Sequence, residues 1–337
     1  MKCKLCGKEI SEGSEEICTE CREKLSHVAL DSTDLPSLGR RPSESDEPKP
    51  EAAQQRGRVI WRSNKEDELQ TVWPLSVAVH PSGDLLVLDE PDDYRILRFD
   101  NRGVCKSCVC EIANDDVDGA IDDPRGICID YKGNIYIPDA GNDRIAIWNP
   151  DGTFANCMGE AGDEPGQFAH PGDVDVDRDG YIYVADSYNG RIQKLSPEGL
   201  VNLEVSQLGS WGVFEEPVAV TTNDEGHIFV ADCRRNLVVI MSPDGEMLRR
   251  FPETDEDPLF DEPTDIRIGS DGSFFVADRS NLRVRRFSAG GKITGIVDLS
   301  QGEEVHEGGD IALLGDNIVV PDRGNDQILC MELEDVS

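Results

Sequence analysis

The stretch PGDVDVDRDGYIYVADSYNGRIQKL, residues 171 to 195, indicates how the chain folds. Apolar residues alternate with polar ones at Val174 and Val176, and the alternation resumes at Ile182. This period of two is typical of a β-strand that packs one face against a neighbour. Between the two runs, Asp179-Gly180 predicts a hairpin turn, because glycine readily adopts the positive φ that such turns require. The segment is therefore predicted to form consecutive antiparallel strands.

The same pattern returns along the chain, and each copy has an aspartate at the end of its second strand. In the first five copies a proline stands fifteen residues ahead of this aspartate, and successive prolines are 50, 47, 46 and 46 residues apart. The aspartates are Asp89, Asp139, Asp186, Asp232, Asp278 and Asp322, and the prolines are Pro74, Pro124, Pro171, Pro217 and Pro263. A repeat of this length is one supersecondary unit that must stack on its neighbours to bury its faces.

The repeats resemble the NHL repeat, and further clear copies are GNIYIPD (133–139) and GSFFVAD (272–278). The resemblance covers roughly residues 58 to 335 and implies an all-β fold in which residues 58–337 form a six-bladed β-propeller. Each copy continues through a turn into a fourth, outer strand, but the sixth copy reaches the end of the chain first. We expect residues 58–61 to supply that missing strand and to close the ring, which removes an exposed sheet edge.

Net charge restricts the classes of partner. The 337 residues include 33 Lys and Arg against 68 Asp and Glu, a formal net charge of −35, of which −32 falls after residue 57. Such a field repels nucleic-acid phosphates and anionic membranes, so neither is an expected partner of the repeats. The first nine residues contain charges and cysteines in place of the apolar run of a signal peptide. We therefore expect a soluble, cytoplasmic monomer without a membrane span.

Two C-x-x-C pairs near the amino terminus predict a metal site. Cys3 and Cys6 form the first pair, and Cys18 and Cys21 form the second. Four thiolates from two tight turns can hold one tetrahedral Zn²⁺ ion, and residues 1–30 resemble a zinc ribbon or treble-clef module. The zinc either substitutes for a core too small to fold unaided or belongs to a docking module, and the sequence leaves both readings open. Residues 31–57, rich in Pro, Ser and acidic residues, are predicted to be a flexible linker.

The loops that enter the inner strand of each blade form a second candidate site. Residues 112–123, 159–170, 206–216, 252–262 and 300–308 hold 19 Asp and Glu and no Lys or Arg. This composition predicts either a solvated acidic surface or a docking face for a protein partner with a basic segment or for divalent cations. The densest acidic positions, and hence the candidate partner-binding rim, are Asp115, Asp116, Asp118, Glu253, Asp255, Glu256 and Asp257.

A third candidate lies at the mouth of the propeller channel. Strand alternation places the residues two past each proline toward the axis, and two of these are Asp173 and Asp265. Asp310 takes the same place in the sixth copy when that copy is aligned on Gly308. Together with Asp175 these three aspartates are candidate ligands for Ca²⁺ or Mg²⁺, as in related propeller lactonases and lyases. The alternative is that aspartate in this position accepts backbone N–H groups from the next blade.

The repeated aspartate and the arginine five or six residues later, as in Asp139 and Arg144, are predicted to be structural, because six identical active sites are implausible. No catalytic residue is assigned. Three functions remain open: a non-enzymatic interaction scaffold, with a zinc module tethered to a rigid acidic propeller; a ubiquitin-ligase-like regulator similar to TRIM-NHL proteins; and a metal-dependent hydrolase or lyase. The first is favoured because no catalytic constellation stands out. The second lacks a RING's second zinc site, a B-box and a coiled coil.

Overall fold

The computed structural model describes residues 58–63, 71, 73–91, 93–112, 119–253, 259–300 and 309–332. Cys3, Cys6, Cys18 and Cys21 of the predicted zinc module, and the whole predicted linker, lie outside the described residues. Over the described part of the chain, regular structure consists of β-strands and four short 3₁₀ turns. No helix in that part is long and apolar enough to cross a membrane.

Twenty-four strands form six antiparallel sheets of four strands each, and each sheet is one blade. Blade 1 contains β2 (Pro74–Val79), β3 (Leu85–Asp89), β4 (Tyr94–Phe99) and β5 (Cys105–Ile112). Blade 2 contains β6 (Cys128–Ile129), β7 (Ile135–Asp139), β8 (Arg144–Trp148) and β9 (Phe154–Met158). Blade 3 contains β10 (Pro171–Val176), β11 (Ile182–Asp186), β12 (Arg191–Leu195) and β13 (Val201–Val205).

Blade 4 contains β14 (Pro217–Thr222), β15 (Ile228–Asp232), β16 (Leu237–Met241) and β17 (Met247–Phe251). Blade 5 contains β18 (Pro263–Ile268), β19 (Phe274–Asp278), β20 (Arg283–Phe287) and β21 (Ile293–Asp298). Blade 6 contains β22 (Ala312–Leu314), β23 (Asn317–Asp322) and β24 (Gln327–Glu332), with β1 (Arg58–Arg62) as its outer strand. The 3₁₀ turns are Ala140–Asn142, Gly209–Trp211, Arg279–Asn281 and Arg323–Asn325.

The blades form a closed ring. The inner strand of each blade contacts the inner strand of the next, and β22 of blade 6 returns to contact β2 of blade 1. One hydrophobic cluster fills each of the six interfaces between neighbouring blades. The prediction of a six-bladed propeller is therefore confirmed.

The second strand of each blade is buried on both faces, as the uniformly buried β7, β11, β15 and β19 illustrate. We expected one packed face per strand from the alternation of apolar residues. Both faces are covered because each sheet lies between two neighbouring sheets, and residues such as Tyr183 and Val184 point into different interfaces. Burying each such side chain contributes about 1.5–3 kcal/mol, so the stacked blades supply most of the stability of the ring.

Residues 58–61 supply the closing strand, as the sequence predicts. Strand β1 pairs antiparallel with β24, with Arg58 opposite Glu332 and Arg62 opposite Leu329. Beyond the strand, Ser63 exchanges hydrogen bonds with Ile328 at 3.0 and 3.1 Å. The amino-terminal part of the propeller therefore completes the carboxy-terminal blade, and the backbone edge of β24 is covered.

The repeated aspartates are structural, as expected. Asp186 is fully buried, accepts a hydrogen bond from the backbone N–H of Ala169 at 2.7 Å and forms an ion pair with Arg191 at 2.7 Å. Equivalent ion pairs join Asp89 to Arg95, Asp139 to Arg144 and Asp278 to Arg283. Each aspartate thus joins the loop that enters its blade to the turn that follows its second strand. We call the side of the ring that carries these loops and turns the upper face, and the side that carries the other hairpins the lower face.

Strand β5 departs from the expected side-chain alternation. The sequence places Cys108 and Cys110 on one face of this outer strand. In the structure a bulge breaks the register where Leu97 pairs with Cys108 and Ile96 with Cys110. As a result Cys108 packs toward blade 6 and Cys110 toward blade 2, so the two thiols do not form a common site.

Candidate functional site

Three aspartates from different blades converge on the channel axis. The inner strands of blades 1, 3, 4 and 5 each carry a bulge at the residue after the repeat proline, and the side chain two past that proline is thereby turned inward. This position holds Asp173 in blade 3 and Asp265 in blade 5, and Asp310 takes the corresponding place in blade 6. The structure therefore brings together three of the four predicted cation ligands.

The same aspartates connect neighbouring blades through backbone hydrogen bonds. Asp173 accepts from the N–H of Val220 at 3.0 Å, and Asp265 accepts from the N–H of Ile311 at 2.8 Å. Asp310 accepts from the N–H of Val77 at 2.8 Å. Each of these bonds crosses from one blade to the next. The geometry thus matches the structural alternative that the sequence left open.

Arg267 lies between the three carboxylates. Its Nη1 atom is 2.7 Å from Oδ1 of Asp265 and 3.5 Å from Oδ2 of Asp173. Its Nη2 atom is 3.3 Å from Oδ1 of Asp310. Only 21% of the side chain is exposed, so the guanidinium is largely withdrawn from water. The charges that a divalent cation would need are engaged with an arginine, and a set of carboxylates around a guanidinium does not fit a cation site in this conformation.

Asp175, the fourth predicted ligand, lies separately from these three. Its Oδ2 atom accepts hydrogen bonds from the backbone N–H and the hydroxyl of Thr222 at 2.7 and 2.9 Å. Its Oδ1 atom is 3.8 Å from Sγ of Cys128. Asp175 lines the channel below Arg267, in a cavity of about 240 Å³ that Cys128 and Thr222 also border. The Asp175 carboxylate therefore has its polar contacts with Cys128 of blade 2 and Thr222 of blade 4.

Burial governs the ionisation of this cluster. Desolvation raises the pKa of Asp173 to about 6, although Arg267 acts in the opposite direction. Desolvation also raises the pKa of Asp265 well above its usual range, again against the attraction of Arg267. Deeper in the channel, burial raises the pKa of the Cys128 thiol well above its ordinary value, so this thiol is protonated and a poor nucleophile at neutral pH.

Above Arg267 the channel opens into an upper cavity of about 310 Å³, whose lining includes four arginines and four acidic residues. Arg125, Arg279 and Arg323 line its walls, together with His170 and Tyr188. Repeat alignment explains the placement, because Arg125 is the residue after a repeat proline, and Arg279 and Arg323 each follow a repeated aspartate. The acidic loops predicted from the sequence therefore surround a channel mouth that also carries arginines, which the sequence analysis did not select.

A compact polar cluster forms one side of the upper cavity. Nη2 of Arg125 donates to Oδ2 of Asp123 at 2.7 Å, and Nε2 of His170 lies 3.1 Å from the same oxygen. The ring of Tyr188 stacks on His170 with ring centroids 4.3 Å apart and nearly parallel planes. Tyr188 is 67% exposed, so its outer face borders the cavity and solvent. The cluster is held by blades 2 and 3.

The predicted partner-binding rim is described only in part. Asp115, Asp116, Asp118, Asp255, Glu256 and Asp257 lie outside the described residues. Glu253 is described, and its Oε1 atom pairs with Nη2 of Arg249 at 2.7 Å. Two exposed tryptophans, which sequence reasoning did not select, lie on the same face. Trp73 precedes β2 and is 41% exposed, and Trp211 in the loop that enters blade 4 is 40% exposed and packs against the Arg250 guanidinium.

Comparison with known proteins agrees with the repeat reading. The family model described as NHL repeat matches residues 168–195 and 260–287, which cover the first three strands of blades 3 and 5. The chain therefore contains NHL repeats in a six-bladed propeller. A search of curated protein sequences finds no significant match.

Solved structures with the same fold include enzymes. A streptogramin B lyase has 15% identity and a TM-score of 0.57 over 81% of this chain and 98% of that chain. A catalytically inactive virginiamycin B lyase from Staphylococcus aureus with quinupristin has 13% identity and a TM-score of 0.58, over 81% and 87%. A gluconolactonase from Xanthomonas campestris has 14% identity and a TM-score of 0.58, over 87% and 99%. At such identities the likeness establishes the fold and leaves activity open.

Proposed function

We propose that this chain is a non-enzymatic interaction protein whose propeller is a rigid platform with a docking upper face. The observation that carries the proposal is the pair of exposed tryptophans, Trp73 and Trp211, set among acidic loops. Tryptophan is strongly enriched among the residues that contribute most binding energy in protein interfaces. Blades 1 and 4, which these tryptophans adjoin, lie on opposite sides of the ring, so the docking face is broad.

Charge complementarity selects the partner. The five loops that enter blades 2 to 6 contain no Lys or Arg in the sequence, and Asp122, Asp261 and Glu262 are among their acidic residues that the structure describes. A protein segment rich in Lys and Arg would be attracted to this face, and the attraction would weaken as salt rises. The partner we propose is therefore a protein with a basic segment. The candidate rim residues Asp115, Asp116, Asp118, Asp255, Glu256 and Asp257 belong to the same proposal.

The channel interior supports a binding role over catalysis. Asp173, Asp265 and Asp310 form ion pairs with Arg267 and accept backbone hydrogen bonds, so no one of them is a free acid or base. A general base needs to reach a substrate proton from an accessible position. The carboxylates instead connect neighbouring blades and so stabilise the ring. The upper face then supplies recognition.

Quantitative affinity purification with mass spectrometry tests the docking face. Wild-type full-length protein is compared with the Trp73→Ser/Trp211→Ser double variant and with Tyr131→Ser, which removes a 60% exposed aromatic ring from the lower face. We expect the upper-face variant to lose a defined set of partners with basic segments that the lower-face control retains. The same set should be weakened by Asp115→Asn/Asp116→Asn/Asp118→Asn. Partners that persist in the double variant, or that are lost equally in the control, would contradict the proposal.

The amino-terminal module extends this proposal. One Zn²⁺ ion held by Cys3, Cys6, Cys18 and Cys21 would let residues 1–30 fold as a second docking module, joined to the propeller by residues 31–57. The protein would then bring two partners together in the cytoplasm. A ubiquitin-ligase-like role would instead need a second zinc ion, so the zinc content of the purified chain separates the two readings.

A metal-dependent hydrolase or lyase is the second candidate, because three carboxylates converge at the channel mouth. The fold neighbours named as streptogramin B lyase and gluconolactonase make this chemistry a natural comparison. For Asp173, Asp175, Asp265 and Asp310 to bind Ca²⁺ or Mg²⁺, Arg267 would have to leave its position. Calorimetric titration of both cations into the wild type and into Arg267→Met tests this. Binding by the wild type would favour the enzyme, whereas binding by the variant alone would show that the arginine replaces the cation.

A further inference from the structure

Three arginines in the lining of the upper cavity have no part in the proposed docking face. Arg125, Arg279 and Arg323 line one cavity of about 310 Å³, although the chain as a whole carries a net charge of −35. The entering loop of blade 2 supplies a partner for one of these guanidinium groups, because Asp123 pairs with Arg125 at 2.7 Å. Arginine is the residue best suited to bind carboxylate or phosphate oxygens through paired hydrogen bonds.

The arginines approach the cavity from different sides. Arg125 belongs to blade 2 and Arg279 to blade 5, and blades 2 and 5 are diametrically opposite in a ring of six. Arg125 is fixed at its edge of the cavity by the ion pair with Asp123 at 2.7 Å. Among the residues that the structure describes, no acceptor lies within hydrogen-bonding distance of the Arg279 guanidinium, which is exposed. An anionic group can therefore be bound on each side.

The negative charge of the cavity floor is reduced from within. The Arg267 guanidinium contacts the carboxylates of Asp173, Asp265 and Asp310 and cancels one of their charges. Burial also raises the pKa values of Asp173 and Asp265, which further lowers the negative charge at this depth. Glu216, the other acidic residue in the lining, is paired with Arg234 at 2.9 Å. Arg125, Arg279 and Arg323 lie above this floor and place positive charge in the upper part of the cavity.

We propose that the upper cavity binds a small organic or inorganic dianion, a dicarboxylate or a phosphate compound, between Arg125 on one side and Arg279 on the other. The outer face of the Tyr188 ring forms a flat wall for the ligand beside Arg125. The cavity volume suits a molecule of metabolite size. This site goes beyond the proposed docking function, because it requires no protein partner and uses none of the tryptophans.

Isothermal titration calorimetry on the full-length protein with succinate and with inorganic phosphate tests the site, and acetate is the monoanionic control. We expect saturable binding of at least one dianion and none of acetate. Arg125→Gln and Arg279→Gln should each weaken that binding about tenfold, the size expected for loss of a charge-assisted hydrogen bond. Arg178→Gln is the matched control, because Arg178 is exposed on the lower face and its loss changes the net charge equally.

One further variant should act in the opposite direction. The Asp123 carboxylate competes with the ligand for Arg125, so Asp123→Asn should tighten dianion binding severalfold. Unchanged thermal unfolding would show that each variant is folded. Absence of binding by both dianions up to about 10 mM, or equal binding in all the variants, would overturn the proposal. Because the tryptophan variants leave this cavity intact, failure here and failure of the docking face are separate results.

Discussion

Nη1 of Arg267 lies 2.7 Å from Oδ1 of Asp265, two residues earlier on the same inner strand, at the centre of the propeller. The same guanidinium extends across the channel to Asp173 of blade 3 and Asp310 of blade 6. Because each of these aspartates also accepts a backbone N–H bond, the arginine and its partners connect the blades at the axis. This arrangement compensates charge that would otherwise be buried unpaired.

Replacing Arg267 by methionine should destabilise the propeller strongly. The change leaves three largely buried carboxylates without their shared cation, and breaking such a cluster typically costs about 3–5 kcal/mol. Urea unfolding monitored by tryptophan fluorescence measures the loss. Arg178→Met, which removes an exposed arginine from the lower face, should change stability by less than about 0.5 kcal/mol. Adding Asp265→Asn to Arg267→Met should restore part of the loss, and a single variant as stable as the wild type would show that the ion pairs contribute nothing.

Asp173→Asn should remove a pH dependence of stability. The folded protein holds the proton of Asp173 up to about pH 6, whereas the unfolded chain releases it near 3.8, so the wild type loses stability as the pH rises between these values. The asparagine side chain does not titrate. Between about pH 4 and pH 6, the free energy of unfolding of the variant should therefore rise relative to that of the wild type by on the order of 2–3 kcal/mol. At higher pH the difference between the two proteins should stay constant.

Chemical unfolding of both proteins at closely spaced pH values provides the measurement for Asp173. Asp151→Asn is a suitable control, because the Thr153 hydrogen bonds lower the pKa of that exposed carboxyl instead. For this pair the trend should be opposite, because the wild type loses stability relative to Asp151→Asn as the pH falls. A constant difference between Asp173→Asn and the wild type across the range would mean that Asp173 is not retained in its protonated form.

The ring and its closure follow from the sequence because they depend on periodic features. The spacing from proline to aspartate predicts the first two strands of the first five blades, and the strand pattern of residues 58–61, ahead of the first copy, predicts the outer strand of blade 6. Pairing of Asp139 with Arg144 was also predictable, because five residues across a tight turn bring adjacent strands together. These are local or repeated relationships, which a single sequence reveals.

Arg267 is not selected by the sequence analysis, although the alternation of side chains along a strand points to it. Alternation on the inner strand that selects Asp175, four residues past its proline, also places Arg267 four past Pro263 toward the axis. The sequence does not show that the long Arg267 side chain extends across the channel to aspartates of other blades. The orientations of Arg279 and Arg323 depend on short 3₁₀ turns, where period-two alternation no longer applies. Bulges have the same effect on Cys108 and Cys110.

Arg191→Met should be among the most destabilising single changes in blade 3. The Arg191 side chain is 6% exposed, pairs with the fully buried Asp186 and donates to the carbonyl oxygens of Asp163 and Gln167 in the entering loop. Its loss leaves a buried carboxylate and detaches the loop, a cost of about 3–5 kcal/mol. Arg102→Met is the matched control, since Arg102 is 81% exposed and its ion pair should contribute below about 1 kcal/mol. Equal midpoints of urea unfolding for the two variants would contradict this account.

Metal content should be one zinc ion per chain. Inductively coupled plasma mass spectrometry of the purified full-length protein measures it directly, and Cys18→Ser should release the ion because the remaining three thiolates bind it more weakly. Cys157→Ser, which changes an exposed cysteine of the propeller, is the control and should retain full zinc. Two zinc ions per chain would favour the ubiquitin-ligase-like role. A chain without zinc would contradict the prediction of a zinc module.

Removal of the closing strand should open the propeller. A chain truncated before Arg58 retains β1, whereas one truncated before Asn64 leaves the edge of β24 with unpaired backbone groups and uncovers the apolar contact of Trp61. We expect the shorter chain to melt several degrees lower, since losing about 1–2 kcal/mol shifts the midpoint by that amount in a domain of this size. It should also self-associate in size-exclusion chromatography, because an exposed strand edge pairs with other copies. Identical melting and elution of the two truncated chains would show that blade 6 is stable with three strands and that β1 does not hold the ring closed.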